Sequence, residues 1–175
     1  QNQKPMNVLF IAIDDLRPEL NIYGATHAKS PNIDKLANES LVFNRAYCNV
    51  PVCGASRASL LTSILPTKTR FIDYRAKAQE DVPNAKTLPA LFKDAGYTSI
   101  SNGKIFHYNK DVQEASWSEK PWMPKGGHRV SYDPTTNNVI MKSGNGRVYE
   151  APEVDDNAYP DYKIAQKTIK DLSIP

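Results

Sequence analysis

The sequence predicts an α/β fold, a mainly parallel sheet flanked by helices, and three observations carry that expectation. Residues 7–13 (NVLFIAI) form a near-continuous apolar run ending in Asp14-Asp15. Such a run suits a strand buried on both faces, the kind found in parallel sheets. Helical and extended patterns then alternate to about residue 107, and the polar residues able to do chemistry fall at the ends of the extended segments. Ligands of open parallel sheets collect beyond the carboxyl ends of the strands, so Asp14, Asp15 and Lys104 are expected at one edge.

Taken in order, Ser30-Pro31 offers an N-cap followed by proline at the first helical position, with Ile33, Leu36 and Ala37 as the apolar face behind it. Residues 41–47 read as a second extended stretch, and 58–65 as a helix stopped near Pro66. Thr87 caps a further helix with Leu88, Leu91, Phe92 and Ala95 on one face and Gly96 as its stop. Residues 97–101 then form a strand leading to Gly103-Lys104. Residues 108–158 carry Pro, Gly and Asn with little period and read as surface loops walling a substrate site. Ile164, Ala165, Ile169 and Leu172 mark a last amphipathic helix, so the core elements are placed at about 7–107 and 160–173 of a catalytic domain filling 1–175.

The 175 residues are 40% hydrophobic and 23% charged with a formal net charge of +3, which fits one compact domain rather than a disordered chain. Lys and Arg are scattered with no basic block, so nucleic acid is not an expected partner. No apolar run approaches the roughly 20 residues of a membrane span. Residues 1–5 lack the regions of a signal peptide and read as a polar lead-in.

Three short segments could carry chemistry. Asp14-Asp15 can meet one ion only if the backbone turns as the strand ends, which Leu16-Arg17-Pro18 favours; paired carboxylates suit a hard cation such as Ca²⁺ or Mg²⁺. The plainer reading is a solvated acidic loop. Cys53-Gly54-Ala55-Ser56-Arg57 places a cysteine at a helix start, where the dipole favours thiolate, and Arg57 four residues on along the same face. By chemistry alone Cys53 is a reactive thiol, a redox cysteine, a partner of Cys48 in a disulfide, or an inert packed residue. Gly103-Lys104-Ile105-Phe106-His107 sets a cation beside a group able to move a proton near neutral pH, although a lone histidine is more often structural. Trp117 and Trp122 suit either sugar stacking or packing, and His128 either a loop or the mouth of a substrate site.

In this order, the elements resemble the type I, formylglycine-dependent sulfatases of the alkaline phosphatase superfamily. The resemblance rests on residues 7–11 running into Asp14-Asp15 and on Ser30-Pro31-Asn32-Ile33-Asp34-Lys35-Leu36-Ala37. It continues through the C-x-P/A-x-R signature at Cys53 to Arg57, then Asp94-Ala95-Gly96-Tyr97 and Gly103-Lys104-x-x-His107. Asp14-Asp15-Leu16-Arg17-Pro18 and the form GKIFH are most similar to the iduronate-2-sulfatase-like polysaccharide sulfatases.

The resemblance implies hydrolysis of a sulfate ester on a sulfated sugar or polysaccharide, a uronic acid 2-O-sulfate among the candidates. It implies that Cys53 is converted to formylglycine by a formylglycine-generating or anaerobic sulfatase-maturating enzyme. One hydroxyl of the aldehyde hydrate attacks sulfur and the alcohol leaves; the other then loses its proton, sulfate departs and the aldehyde returns. Cys53, Arg57, Lys104 and His107 are the implied catalytic residues. Arg57 steadies the hydrate, Lys104 binds a sulfate oxygen and His107 assists the proton loss, with Lys104 and His128 as substrate contacts. Asp14, Asp15 and the modified Cys53 are the implied ligands of Ca²⁺, ahead of Mg²⁺. A periplasmic or secreted home follows by the same analogy, or a lysosomal one in a eukaryote.

Two departures stand out. Ala55 replaces the proline of many signatures, and the family's second metal-ligand pair and distal His and Lys are not found. A calcium site takes about 6–8 oxygens, so a C-terminal segment or second chain is expected to complete the site and the sheet. A metal-dependent phosphohydrolase and an inactive sulfated-glycan-binding module are the alternatives. A cysteine followed by Ala-x-Arg argues against the first, and the joint presence of Cys53, Arg57, Lys104 and His107 against the second.

Overall fold

The computed structural model describes residues 6–125 and 152–173. Its helices are α1 (Pro31–Asn38), α2 (Cys53–Thr62), α3 (Ala78–Asp81), α4 (Leu88–Asp94), α5 (Gln113–Ser116) and α6 (Pro160–Leu172), with 3₁₀ turns at Asn21–Tyr23 and Asp156–Ala158. The second of the expected helices begins earlier than its pattern predicts, at Cys53 rather than residue 58, because Gly54, Ala55 and Ser56 leave little apolar periodicity to read.

Capping explains several boundaries. Thr87 Oγ1 accepts the Ala90 N–H at 3.2 Å and starts α4. Gly96, at φ +88°, ends it: the Gly96 N–H reaches the Lys93 carbonyl and the Tyr97 N–H the Phe92 carbonyl, each at 3.0 Å. Ser30 departs from expectation. Its hydroxyl binds the Asp34 carboxylate at 3.0 Å instead of accepting a backbone N–H.

The core gathers around α2. Ala55, Ala58 and Leu61 on its inner face pack with Phe71, Ala78, Phe106 and Trp117, all buried. Small residues on α2 let the neighbouring backbone come close, and at Gly54 the approach is extreme: a Cβ there would lie 2.1 Å from the Tyr74 carbonyl oxygen. Gly54→Ala is therefore expected to destabilise the protein by about 1–3 kcal/mol through overpacking, read as a lower midpoint in urea unfolding.

The expected sheet does not form among the described residues, and no strand is present there. Residues 7–13 and 41–47 are exposed, with Val8 at 62%, Ile11 at 68% and Leu41 at 79%. An extended segment needs a neighbour for its backbone and a cover for each face, and among the described residues neither of these two pairs with another strand. Residues 99–103 come nearest to a strand. The Ser118 N–H meets the Ser99 carbonyl, the Trp122 N–H that of Ser101, and the Gly103 N–H that of Trp122, at 2.8–2.9 Å. This pairing is parallel at Asn102 and Trp122.

Residues 108–125 are mostly irregular, and a few of their side chains are buried. Asp111 is buried and its carboxylate accepts the Ala78 and Gln79 N–H groups at 2.8 and 3.0 Å, capping α3. Ser116 is fully buried and bonds Thr87 at 2.8 Å. Trp117 is core rather than sugar platform, edge-on to Phe106 with ring centres 6.1 Å apart. The turn-rich composition hid two polar side chains, Asp111 and Ser116, that are satisfied inside the fold. α6 docks through Asn102, which donates to Thr168 at 3.2 Å and to Asp171 at 2.8 Å.

Candidate active site

Cys53 is the first residue of α2, preceded by extended Val52. Helix starts carry N–H groups without intrahelical acceptors and the positive end of the dipole, both favourable to an anion at this place. The Cys53 sulfur lies 3.3 Å from Nδ1 of His107, close enough for a proton to pass between them. His107 is itself flanked by aromatic rings, with Tyr108 edge-on at 4.7 Å and Tyr74 at 6.2 Å between centres. Both cysteines are free thiols.

Arg57, one turn further along α2, is nearly buried, at 11% side-chain exposure. Its Nη1 donates to the carbonyls of Lys104 and Ile105 at 2.6 and 2.8 Å, and its Nη2 lies 3.3 Å from Asp14 Oδ1. The guanidinium thus ties α2 both to the segment that carries Lys104 and His107 and to the end of the 7–13 run. Its planar fork holds donors on separate nitrogens at fixed angles, a geometry that the single nitrogen of a lysine ammonium does not reproduce.

Lys104 Nζ donates to the other Asp14 oxygen at 2.6 Å. That hydrogen bond, with the Arg57 charge beside it and against partial burial, holds the Asp14 carboxyl below the usual carboxylate range. Asp14 is therefore ionised near neutral pH. Asp15 follows with φ +56°, the turn that two successive carboxylates need to approach one side.

Asp14, Asp15, Cys53, Arg57, Lys104 and His107 all line one open cleft of about 1660 Å³. Residues 90 positions apart in sequence, Asp14 and Lys104, meet there. His128 lies outside the described residues. Sequence reasoning passed over Tyr74 and Tyr108 and weighed Cys48 only as a disulfide partner of Cys53; all three reach this cleft or its histidine. Only the adjacency of Tyr108 to the Lys104–His107 segment could have signalled one of them.

The donor chemistry of the carboxylates fits a hard cation, yet the set is partial. Among the described residues no three His, Cys, Asp or Glu side chains group to hold a metal. Both Asp14 oxygens already serve Lys104 and Arg57. Asp14 and Asp15 supply part of a shell of about 6–8 oxygens, not a whole one.

A cysteine at a helix start, facing an imidazole and bordered by two cations and two carboxylates, is a centre suited to nucleophilic attack on an anionic ester. The sequence profile of the sulfatase family matches residues 6–170. The chain is 42% identical over 124 residues to human iduronate 2-sulfatase, covering 68% of this chain and 22% of that protein. It is 33% identical over 177 residues to mouse iduronate 2-sulfatase, covering 94% and 31%. It is 35% identical over 112 residues to rat N-acetylgalactosamine-6-sulfatase, covering 58% and 21%. The chain belongs to the sulfatase family. It spans only about a fifth to a third of the length of these curated relatives. Among the described residues no helix is long and apolar enough to cross a membrane.

Proposed function

We propose that the whole protein hydrolyses sulfate esters on a sulfated sugar or polysaccharide, a uronic acid 2-O-sulfate being the favoured substrate, with formylglycine made from Cys53 as nucleophile. The observation that carries this reading is the 3.3 Å approach of His107 Nδ1 to the Cys53 sulfur at the start of α2, with Arg57 and Lys104 alongside. The high similarity to iduronate 2-sulfatases supports the choice of sugar.

In this reading His107 holds and moves a proton at Nδ1, next to the side chain of residue 53. Lys104 presents a point charge to a sulfate oxygen. Arg57 keeps α2 and the Lys104–His107 segment in register, so nucleophile and proton carrier stay within reach. Asp14 and Asp15 contribute oxygens to a divalent cation, calcium ahead of magnesium. When bound, that ion offsets the negative charge of the sulfate group. The remaining ligands come from a C-terminal segment or second chain, which also supplies neighbours for a mainly parallel sheet built on 7–13 and 97–101. A formylglycine-generating or anaerobic sulfatase-maturating enzyme is the implied partner. A periplasmic, secreted or lysosomal home accords with the reading.

Peptide mass spectrometry across Cys53, on full-length protein from its native host, tests the nucleophile. The expected product is aldehyde or its hydrate at residue 53. An unmodified thiol, with maturating activity demonstrated in the same cells, overturns the proposal.

A further inference from the structure

A second groove lies apart from the Cys53 cleft, between α6 and the chain at 122–125. Trp122, Lys125, Tyr162, Lys163, Lys167 and Lys170 line it, and its volume is about 700 Å³. Four cations and two aromatic side chains meet there, and among the described residues no carboxylate lines the groove. Lys167 is paired with acidic groups, Asp171 Oδ2 at 2.6 Å and Glu119 at 3.9 Å. Lys163 touches only a carbonyl oxygen, that of Ala158 at 3.3 Å, among the contacts described. Lys125, Lys163 and Lys170 are exposed, as is Tyr162.

Helical geometry explains the alignment. Lys163, Lys167 and Lys170 are spaced four and three residues apart, so they stand in a row on one face of α6. At 1.5 Å per residue the row is about 10 Å long. That exceeds the reach of a single small anion and suits successive charges along a polymer. The helix is fixed in place by Asn102 and by Ile164, whose Cδ1 would sit 2.8 Å from any Cβ added to Gly103 at φ +79°. Gly103 adjoins Lys104 of the cleft, so α6 packs on the same segment that supplies that site.

We propose that this groove is an auxiliary binding surface for a sulfated or carboxylated glycan chain, holding a stretch of polymer away from the point of hydrolysis. Charge complementarity selects a polyanion, and the flat faces of Trp122 and Tyr162 suit the apolar C–H faces of sugar rings, as amphipathic aromatics do. The proposal deepens the reading of a polysaccharide sulfatase and rests on it for the identity of the polymer. Binding at the groove is measurable without turnover.

The test uses full-length protein and two variants. One is Lys125→Ala/Lys163→Ala/Lys170→Ala; the other is Tyr162→Ala. Lys167 is left in place because its partner Asp171 anchors Asn102. A heparin octasaccharide is titrated against each at several salt concentrations, beside a single-stranded oligonucleotide of equal charge and a sulfated monosaccharide. The triple variant is expected to bind the octasaccharide about 10-fold more weakly at 0.1 M salt, with a shallower salt dependence. Tyr162→Ala weakens binding with the salt dependence kept. Binding and turnover of the sulfated monosaccharide stay unchanged in both, which also shows that the variants fold. Octasaccharide affinity unaffected by the three lysines overturns the proposal. Equal losses for oligonucleotide and octasaccharide, with no effect of Tyr162→Ala, overturn its assignment to glycan. If the parent protein shows no sulfatase turnover yet the lysine variant loses octasaccharide binding, the hydrolytic reading fails and the groove stands.

Discussion

Cys53→Ala in the full-length, matured protein is expected to remove sulfate release, lowering kcat on a sulfated monosaccharide by on the order of 10⁴-fold or more, the scale seen when a covalent nucleophile is deleted. The fold tolerates the change. Cys53 is half-buried at the first position of α2, and alanine is the better helix former. Alanine at this position gives up one side-chain hydrogen bond, that with His107. Thermal unfolding should therefore move little while activity disappears. That separation distinguishes a nucleophile from an inert packed cysteine, whose replacement leaves turnover near the parent level. Activity retained in Cys53→Ala would end the proposed mechanism. It would favour a phosphohydrolase-like use of other groups in the cleft.

The parts of this site legible in sequence were those with local signatures. Asp14-Asp15 after an apolar run, Cys53 to Arg57, and Lys104 to His107 were each recognisable as short patterns, and the structure brings all three to one cleft. What they do to one another was not legible. Nothing in spacing says that Arg57 spends one nitrogen on the Lys104 and Ile105 carbonyls, since that bond joins residues 47 and 48 positions apart. Backbone acceptors are present at every position and leave no mark in the side-chain pattern.

The expected sheet rested on periodicity alone, and periodicity records burial in the complete fold. Residues 7–13 carry the composition of a doubly covered strand while Phe10 and Ile11 stand exposed among the described residues. α4 shows the same conflict. Leu88 and Leu91 of its predicted inner face are exposed, while Pro89 and Ala90 are buried. Ile33 and Leu36 of α1, and Ile169 and Leu172 of α6, are exposed as well. Apolar faces this numerous exceed what monomeric domains leave open, and they agree with a chain spanning a fifth to a third of its relatives. The reverse conflict arises at single positions of 108–125. There Asp111 and Ser116 are polar yet buried, because each is matched by a partner that composition does not reveal.

Arg57→Met is the second change with a large expected effect, and it acts on both stability and activity. Methionine keeps the stem's packing but removes every donor. The Lys104 and Ile105 carbonyls then lose partners at 2.6 and 2.8 Å, and Asp14 loses one of its two cations. An acceptor left without its partner in a nearly buried setting costs about 1–3 kcal/mol, so two such losses lead us to expect about 3–5 kcal/mol by urea unfolding. Asp14 is half exposed and water replaces much of its lost partner, so the carbonyls dominate the sum. Arg57→Lys should recover little, because a shorter stem ending in one nitrogen cannot place donors where both Nη1 and Nη2 stand, on the two carbonyls and on the Asp14 carboxylate. Activity follows the geometry. Freed from α2, the segment carrying Lys104 and His107 shifts relative to residue 53, and a displacement of about 1 Å is enough to cost on the order of 10²-fold in rate. A role confined to charge predicts the reverse pattern: Arg57→Lys would keep both stability and kcat, since the positive charge beside Asp14 survives. Unfolding midpoints and kcat for the two variants, measured side by side, decide between a clamp and a counter-charge.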